Sequence, residues 1–318
     1  MKEKERSLIN KTERADSVSE KLNRSLEKCE LCRHLCGANR TAGRQGKCGC
    51  GRSDMRVHFY GPHLGEEPPF SGTRGSGTIF FSPCNLECVY CQNHKFSRSR
   101  SGQIVSPAEL ADIMIGLQTG RCHNINLVSP TPFVPHIVEA LKIAYQRGLS
   151  IPIVYNTGGY DSPGTIALLD GIVNIYLPDM RYASDDMAVK YSSAPGYTEN
   201  NKQIIKEMFR QTGHLEVASN GIAVKGLAIR LLVLPGGISG TEHTLEHISR
   251  EMGKRTFISL MSQYYPAYMA PKFKELSKRV EKEEYERIAG RMEALGFING
   301  WIQPFTGTFD PGFAGENF

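Results

Sequence analysis

The densest chemistry in this chain lies in eight residues, Cys84-Asn85-Leu86-Glu87-Cys88-Val89-Tyr90-Cys91, which follow a strand-like apolar run at 78–81. Three cysteines this close can converge on one metal centre. An iron–sulfur cube normally takes four thiolates, so three protein ligands would leave one iron open for another molecule. The alternative is structural zinc, which also takes clustered thiolates but wants a fourth protein ligand. His94 is the obvious local candidate for it. The Cys-x3-Cys-x2-Cys spacing, the aromatic residue before the third cysteine and the preceding apolar run favour the cluster.

A second group, Cys29, Cys32, Cys36, Cys48 and Cys50, lies upstream. Cys29-x2-Cys32-x3-Cys36, a return through Gly37, Gly43 and Gly46, and then Cys48 would make a compact knuckle around one centre. Zinc would close it as a tetrahedral site that supplies folding energy to a segment too small for its own core. An auxiliary iron–sulfur cluster or free thiols also fit the spacing. Cys50 is spare in each case, and His34 reads as a surface residue. Cys122 stands alone and reads as a buried apolar residue. His123, His136, His243 and His247 show no partner pattern.

The elements that must position these groups are bounded by composition. A chain of 318 residues with 40% hydrophobic content supports one large single-core domain with a small appendage. The 38 basic against 33 acidic residues leave the chain only mildly basic, which by itself argues for neither nucleic acid nor membrane. No apolar run approaches the roughly 18 residues of a membrane span, and the polar start lacks a signal-peptide core. The expected location is the cytoplasm. There, clustered cysteines mean metal rather than disulfides.

Along the chain, residues 1–28 carry eight Lys or Arg and six Asp or Glu, a mixed-charge leader. Val18, Leu22 and Leu26 give it one apolar edge, and it reads as a partly frayed surface helix. Residues 29–58 form the cysteine knuckle and 59–77 a Gly- and Pro-rich linker. Its Gly72, Gly75 and Gly77 read as turns, and Glu66 and Glu67 either as a solvated loop or as facing the active site, with the loop favoured. From residue 78 the pattern alternates. Continuous apolar runs at 78–82, 125–129, 151–155, 173–177, 227–234 and 256–261 suit strands buried on both faces. Between them, Ser106-Pro107-Ala108-Glu109 has capping-box spacing before Leu110, Ile113, Met114 and Leu117. Helices are also expected near 135–147, with Ile137, Val138, Leu141 and Ala144 buried, and near 203–211, 244–252 and 285–295. Six strands alternating with helices indicate a parallel α/β barrel or an open arc of one over 78–303. Residues 300–303 add a short strand. Residues 304–318, with Gly307, Gly312 and Gly315, read as a flexible tail.

In such folds the site gathers at the carboxyl ends of the strands. The cysteine loop sits there, after the first strand. The other candidates are Ser129-Pro130-Thr131-Pro132, Asn156-Thr157-Gly158, Pro178-Asp179-Met180-Arg181, Pro235-Gly236 and Ser262-Gln263-Tyr264-Tyr265-Pro266. Pro178, Pro235 and Gly236 are also the residues that would simply end strands.

The cysteine spacing with its aromatic residue resembles the radical S-adenosylmethionine (SAM) superfamily. Over 78–303 the chain is similar to the branch of pyruvate formate-lyase activating enzyme. With the knuckle, Tyr176-Leu177-Pro178-Asp179 and the Ser259–Tyr268 stretch, it looks like the PflX-type subgroup of that branch. The resemblance implies a partial (β/α)6 TIM-like barrel and a [4Fe–4S] cluster on Cys84, Cys88 and Cys91, with SAM on the open iron. It implies an oxidoreductase that cleaves SAM reductively to a 5′-deoxyadenosyl radical, using a reductant such as flavodoxin or ferredoxin. That radical would take hydrogen from a protein or small-molecule substrate, and a glycyl-radical-enzyme activase is one form of this. Tyr90 would sit against the adenine, and Asn156 and Thr157 would match a turn near the ribose and methionyl part. Arg230 matches an Arg that contacts SAM; a barrel-interior Arg paired with a carboxylate is the other reading. Asp179 and Arg181 fall where activating enzymes have a carboxylate and a basic residue. Two departures stand out. The Gly-Gly-Glu that binds the SAM ammonium is replaced by Ser129-Pro130-Thr131-Pro132, whose Ser129 and Thr131 bond without charge. The cation-linked His of the sixth strand is replaced by Gln263 and Tyr264. Tyr264, Tyr265 and Tyr268 would receive a substrate or pack the rim. The alternatives are a radical SAM enzyme that modifies RNA or a cofactor, and a non-catalytic iron–sulfur scaffold.

Overall fold

A computed structural model describes residues 2–305 of the chain. In order, its helices are α1 (Lys2–Arg24), α2 (Pro68–Ser71), α3 (His94–Ser97), α4 (Pro107–Thr119), α5 (Val134–Gln146), α6 (Pro163–Leu168), α7 (Asp185–Ser192), α8 (Tyr197–Thr212), α9 (Thr241–Glu251) and α10 (Lys282–Ala294). Its strands are β1 (Arg56–His63), β2 (Ser76–Ser82), β3 (Gln103–Ile104), β4 (Ile125–Val128), β5 (Ile153–Thr157), β6 (Ile175–Pro178), β7 (Glu216–Val217), β8 (Ala223–Leu232), β9 (Phe257–Met261) and β10 (Gly300–Ile302). From 306 onward the tail expected at 304–318 lies outside the described residues.

The apolar runs form the central sheet. β2, β4, β5, β6, β8, β9 and β10 lie side by side in that order, all parallel. β10 pairs with β9 alone, and at the far side β1 and β3 add antiparallel strands beyond β2. The sheet is therefore a partial TIM-like barrel that does not close. Alternation along each strand sends one set of side chains to the helices and the other into the barrel. Val154, Ile175, Leu177, Ala228 and Phe257 pack with Phe70 of α2 as a separate apolar cluster. The segment between β1 and β2 thus inserts a side chain into the strands' own layer. No helix among the described residues is long and apolar enough to cross a membrane.

The helices follow their local signals. Ser106 caps α4: its hydroxyl accepts from the Glu109 amide (3.3 Å) while the Glu109 carboxylate accepts from the Ser106 amide (2.7 Å). Leu110, Met114 and Leu117 are buried as their spacing predicts, and α5 buries Ile137, Val138, Leu141 and Ala144.

Three local expectations need correction. The leader is no frayed surface helix: Ala15, Val18 and Leu22 of α1 join the main core and pack with α5. Burying the Val18 and Leu22 side chains contributes about 1.5–3 kcal/mol each, which outweighs the fraying expected of a charged segment. Residues 56–63, expected as part of the knuckle and linker, form β1. Its Gly61-Pro62 and scattered apolar residues hide the pattern, and its register with β2 is broken by a bulge between Val57 and Phe59. The third apolar run pairs two residues later than expected, as β5, because Pro152 has no N–H for the ladder. Its carbonyl instead accepts from Ile125 (2.9 Å). That shift carries the polar residues Asn156 and Thr157 into the strand itself.

Candidate functional site

The cysteine loop leaves β2 and is fixed from several sides. The Cys84 amide donates to Ser97 (3.1 Å), Glu87 to Ser192 (3.2 Å) and Val89 to Tyr191 (2.8 Å), all at backbone carbonyls. Each sulfur has its own polar neighbour. The Leu86 amide donates to Cys84 Sγ (3.4 Å), the Ser192 hydroxyl to Cys88 Sγ (3.0 Å), and Ser97 Oγ lies 3.2 Å from Cys91 Sγ. Behind Cys88 the bonds continue from Ser192 to the Tyr182 hydroxyl (2.7 Å) and on to the Tyr90 hydroxyl (2.7 Å). Burial, with neighbouring thiolate charge, raises the Cys84 thiol and pushes Cys91 up to about 12. Such thiols stay protonated at neutral pH until a metal takes the proton's place.

All three cysteines line one cleft of about 1250 Å³, counting the part open to solvent. Its far wall is charged. Arg230 of β8 donates from Nε and Nη2 to the two Glu67 oxygens (2.7 and 2.6 Å) and also pairs with Glu66. Asn126 of β4 donates to Glu66 (2.9 Å). Burial would lift the Glu67 pKa, but the charge and hydrogen bonds of Arg230 overcome this and hold it below the usual value. For Asp179 burial wins, raising its carboxyl despite Arg181 and Arg230. Arg181 donates to the Asp179 carboxylate (2.5 Å), while its buried Nε has no partner. Beside them, the turn after β5 needs Gly159. Its φ is +76°, and an added Cβ would sit 2.3 Å from the Asp179 carbonyl oxygen.

This donor set suits an iron–sulfur cluster with one open corner: three thiols on one wall, each with a polar partner at sulfur. Among the described residues no three His, Cys, Asp or Glu side chains are drawn together as a preformed site for a single ion. His94, the expected fourth ligand of a zinc site, has Nδ1 3.1 Å from the Cys91 carbonyl oxygen and stacks on Tyr268 with ring centroids 5.1 Å apart.

The sequence profile of the radical SAM superfamily matches residues 78–227. An uncharacterized protein of Methanocaldococcus jannaschii, MJ0674, is 30% identical over 267 residues, 81% of this chain and 72% of that one. The chain belongs to the radical SAM superfamily. Membership implies a [4Fe–4S] cluster and SAM as co-substrate. Among solved structures, the chain is similar to the FeFe-hydrogenase maturase HydG from Carboxydothermus hydrogenoformans, with a TM-score of 0.48 and 12% identity over 69% of this chain and 50% of that one. It is also similar to methylornithine synthase, PylB, with a TM-score of 0.47 and 14% identity over 71% of this chain and 63% of that one. The chain spans about half the length of HydG and under two thirds of PylB.

Within this cleft the residues expected from sequence divide. Tyr90, Ser129, Asn156, Thr157, Asp179, Arg181, Arg230 and Gln263 line it with the three cysteines. Thr131 does not. It is fully buried, and its hydroxyl donates to Asp161 (2.7 Å), so it supports the wall rather than meeting a ligand. Asp161, unremarked in sequence, also accepts from Tyr155 (2.7 Å) and Thr157 (2.6 Å), tying three strand-end hydroxyls together. Tyr264 is buried and donates to the Leu276 carbonyl (2.6 Å), which assigns it to packing. Glu66 and Glu67 are not a solvated loop. The strand pattern gave no register for β1, so nothing in sequence aimed them at Arg230. The closely spaced Glu-Glu-Pro-Pro before Phe70 was the available signal.

Proposed function

We propose that this chain uses Cys84, Cys88 and Cys91 as ligands of a [4Fe–4S] cluster and cleaves SAM to act on a protein or small-molecule substrate. The observation that carries this reading is the convergence of buried Cys88 and half-buried Cys84 and Cys91, each with a polar partner at sulfur, on a cleft walled by strand ends. Cys84, Cys88 and Cys91 would hold the cluster, which would supply the one-electron chemistry of reductive SAM cleavage.

The chain's own residues bind, orient and exclude water. Ser192, Ser97 and the Leu86 amide fix the sulfurs. Asp179 and Arg181 offer a carboxylate and a guanidinium beside the cysteine loop, matching in kind the ammonium and carboxylate of SAM. They compensate for the uncharged Ser129–Pro132 stretch. Ser129, Asn156 and Thr157 add uncharged hydrogen-bonding groups, and Tyr90 a ring. Arg230 spends Nε and Nη2 on Glu66 and Glu67 and turns Nη1 to the Asn156 side-chain oxygen (3.5 Å), so it orients the wall and holds Asn156 in place. Phe80, Val128, Leu232 and Met261 keep the cleft apolar at its sides.

A one-electron donor of the flavodoxin or ferredoxin class would serve the reaction, and the cytoplasm, where thiols stay reduced, is the compartment that suits it. Glycyl-radical-enzyme activation, as by the pyruvate formate-lyase or PflX-type branch, is one form of this reading. The Gln263-Tyr264 pair gives that form no cation-linked His. The test is an anaerobic assay of iron–sulfur-reconstituted protein with dithionite and SAM, following 5′-deoxyadenosine. Product supports the reading. A full cluster with no product replaces it with a non-catalytic scaffold.

A further inference from the structure

The N-terminal cysteines converge too. Cys29, Cys32, Cys36 and Cys48 line one small cavity apart from the cleft. Cys36 and Cys48 flank Gly46, where an added Cβ would stand 3.4 Å from one sulfur and 3.5 Å from the other. The backbone amides of Leu31, His34 and Cys50 donate toward the sulfurs of Cys29, Cys32 and Cys48. Each comes from two residues ahead, the same arrangement Leu86 makes with Cys84. Amides turned onto sulfur in this repeated way are hydrogen-bond donors suited to a metal-bound sulfur.

A second observation is independent of the cysteines. Arg40 is 1% exposed and lines the same cavity. Its guanidinium donates to the carbonyls of Gly51 (3.1 and 2.7 Å) and Pro132 (2.7 Å), neutral acceptors that leave its charge uncompensated. It makes no ion pair with a carboxylate among the described residues. A buried cation without a counter-charge is costly. What it faces is sulfur, that of Cys29 and Cys48. A metal centre held by four thiolates carries net negative charge and offsets it.

We propose that Cys29, Cys32, Cys36 and Cys48 hold a second, four-thiolate metal centre with Arg40 as its buried counter-charge, and that this centre braces the catalytic loop from behind. The bracing contacts are direct. His34 Nε2 lies 2.9 Å from the carbonyl oxygen of Asn85, the residue next to Cys84. Cys32 forms an isolated β-bridge with Asp161, and the Ser162 amide donates to Leu31 (3.1 Å). The shared chemistry is a thiolate-seeking metal. A single zinc ion would draw the four sulfurs inward, and an iron–sulfur cluster would take them at separate corners.

The test isolates this centre from the catalytic one. The variant Cys84→Ala/Cys88→Ala/Cys91→Ala, reconstituted anaerobically with iron, sulfide and zinc, should retain metal: about one zinc per chain, or about four iron with matching sulfide. Adding Cys29→Ser and Cys36→Ser should remove it, while Cys122→Ser should not. Arg40→Gln in the triple variant should speed metal release to a chelator about tenfold or more. If the triple variant folds poorly, the wild type should lose the same increment of metal on Cys29→Ser/Cys36→Ser. A folded triple variant without stoichiometric metal, or metal that survives Cys29→Ser/Cys36→Ser, overturns the proposal. Because the triple variant lacks the SAM-site cysteines, its result is independent of whether SAM is cleaved.

Discussion

Replacing Arg230 by Met should destabilise the fold in a way that depends on pH. Glu67 is 1% exposed, and Arg230 meets it with two hydrogen bonds while also pairing with Glu66. Removing the cation leaves buried carboxylates without compensation, a loss of about 3–5 kcal/mol. At about 2 °C per kcal/mol for a large domain, Tm should fall by about 6–10 °C near pH 7. The pH dependence follows from Glu67. In the wild type Arg230 holds its carboxyl below the unfolded value of about 4.3. That contribution is present above the unfolded pKa and lost as pH falls through the folded one. In Arg230→Met, burial, the largest influence on this carboxyl, is opposed only by its backbone and Ser259 hydrogen bonds and lifts the folded pKa above the unfolded one. Protonation then relieves the cost, so the penalty should shrink as pH is lowered from 7 toward about 5. Thermal melts followed by circular dichroism between pH 5 and 8 would measure this. Adding Glu66→Gln and Glu67→Gln should recover most of the loss. An Arg230→Met protein as stable as wild type at pH 7, or a penalty that grows toward acid, would refute the account of this wall.

Further outcomes are expected elsewhere. Cys88→Ala should abolish 5′-deoxyadenosine formation, while Cys32→Ala should leave the product detectable; equal loss in both would sink the division between the two cysteine groups. Ser192→Ala removes a donor to Cys88 Sγ. At about 1 kcal/mol for one hydrogen bond, the cluster's midpoint potential should drop by about 40 mV, measured by redox titration. Tyr197→Phe leaves the Arg181 amide (3.1 Å) without its acceptor and the Gly158 carbonyl (2.9 Å) without its donor. It should cost about 1–3 kcal/mol in urea melts and raise the KM for SAM. Ser106→Ala should cost about 1 kcal/mol by the same assay.

Where one physical signal dominates, sequence and structure agree. The strands of the barrel are continuous apolar runs buried on both faces, so their order could be read directly, and α4 announced itself through Ser106, Pro107 and Glu109. Where the deciding contact is distant in the chain, the sequence was silent. β1 is a strand because β2 offers it an edge, not because its own residues alternate. Glu66 and Glu67 are buried because Arg230 lies 164 and 163 residues away in sequence yet opposite in space. Thr131 has the chemistry of a ligand residue, and only the position of Asp161 turns it away. α1 is amphipathic enough to predict, but its docking on α5 could not be weighed against its charge.

The knuckle's docking has a consequence in time. Cys29 to Cys50 are synthesised before their partners Asn85, Pro132, Tyr160 and Asp161, which follow by as much as roughly 130 residues. At about 5–20 residues per second, this cysteine group waits on the order of ten seconds beside the ribosome with no surface to lie against. During that interval its thiols are open to metal and to oxidant alike. If the proposed second centre forms, the order in which the chain is made favours filling it before the barrel closes over its inner face.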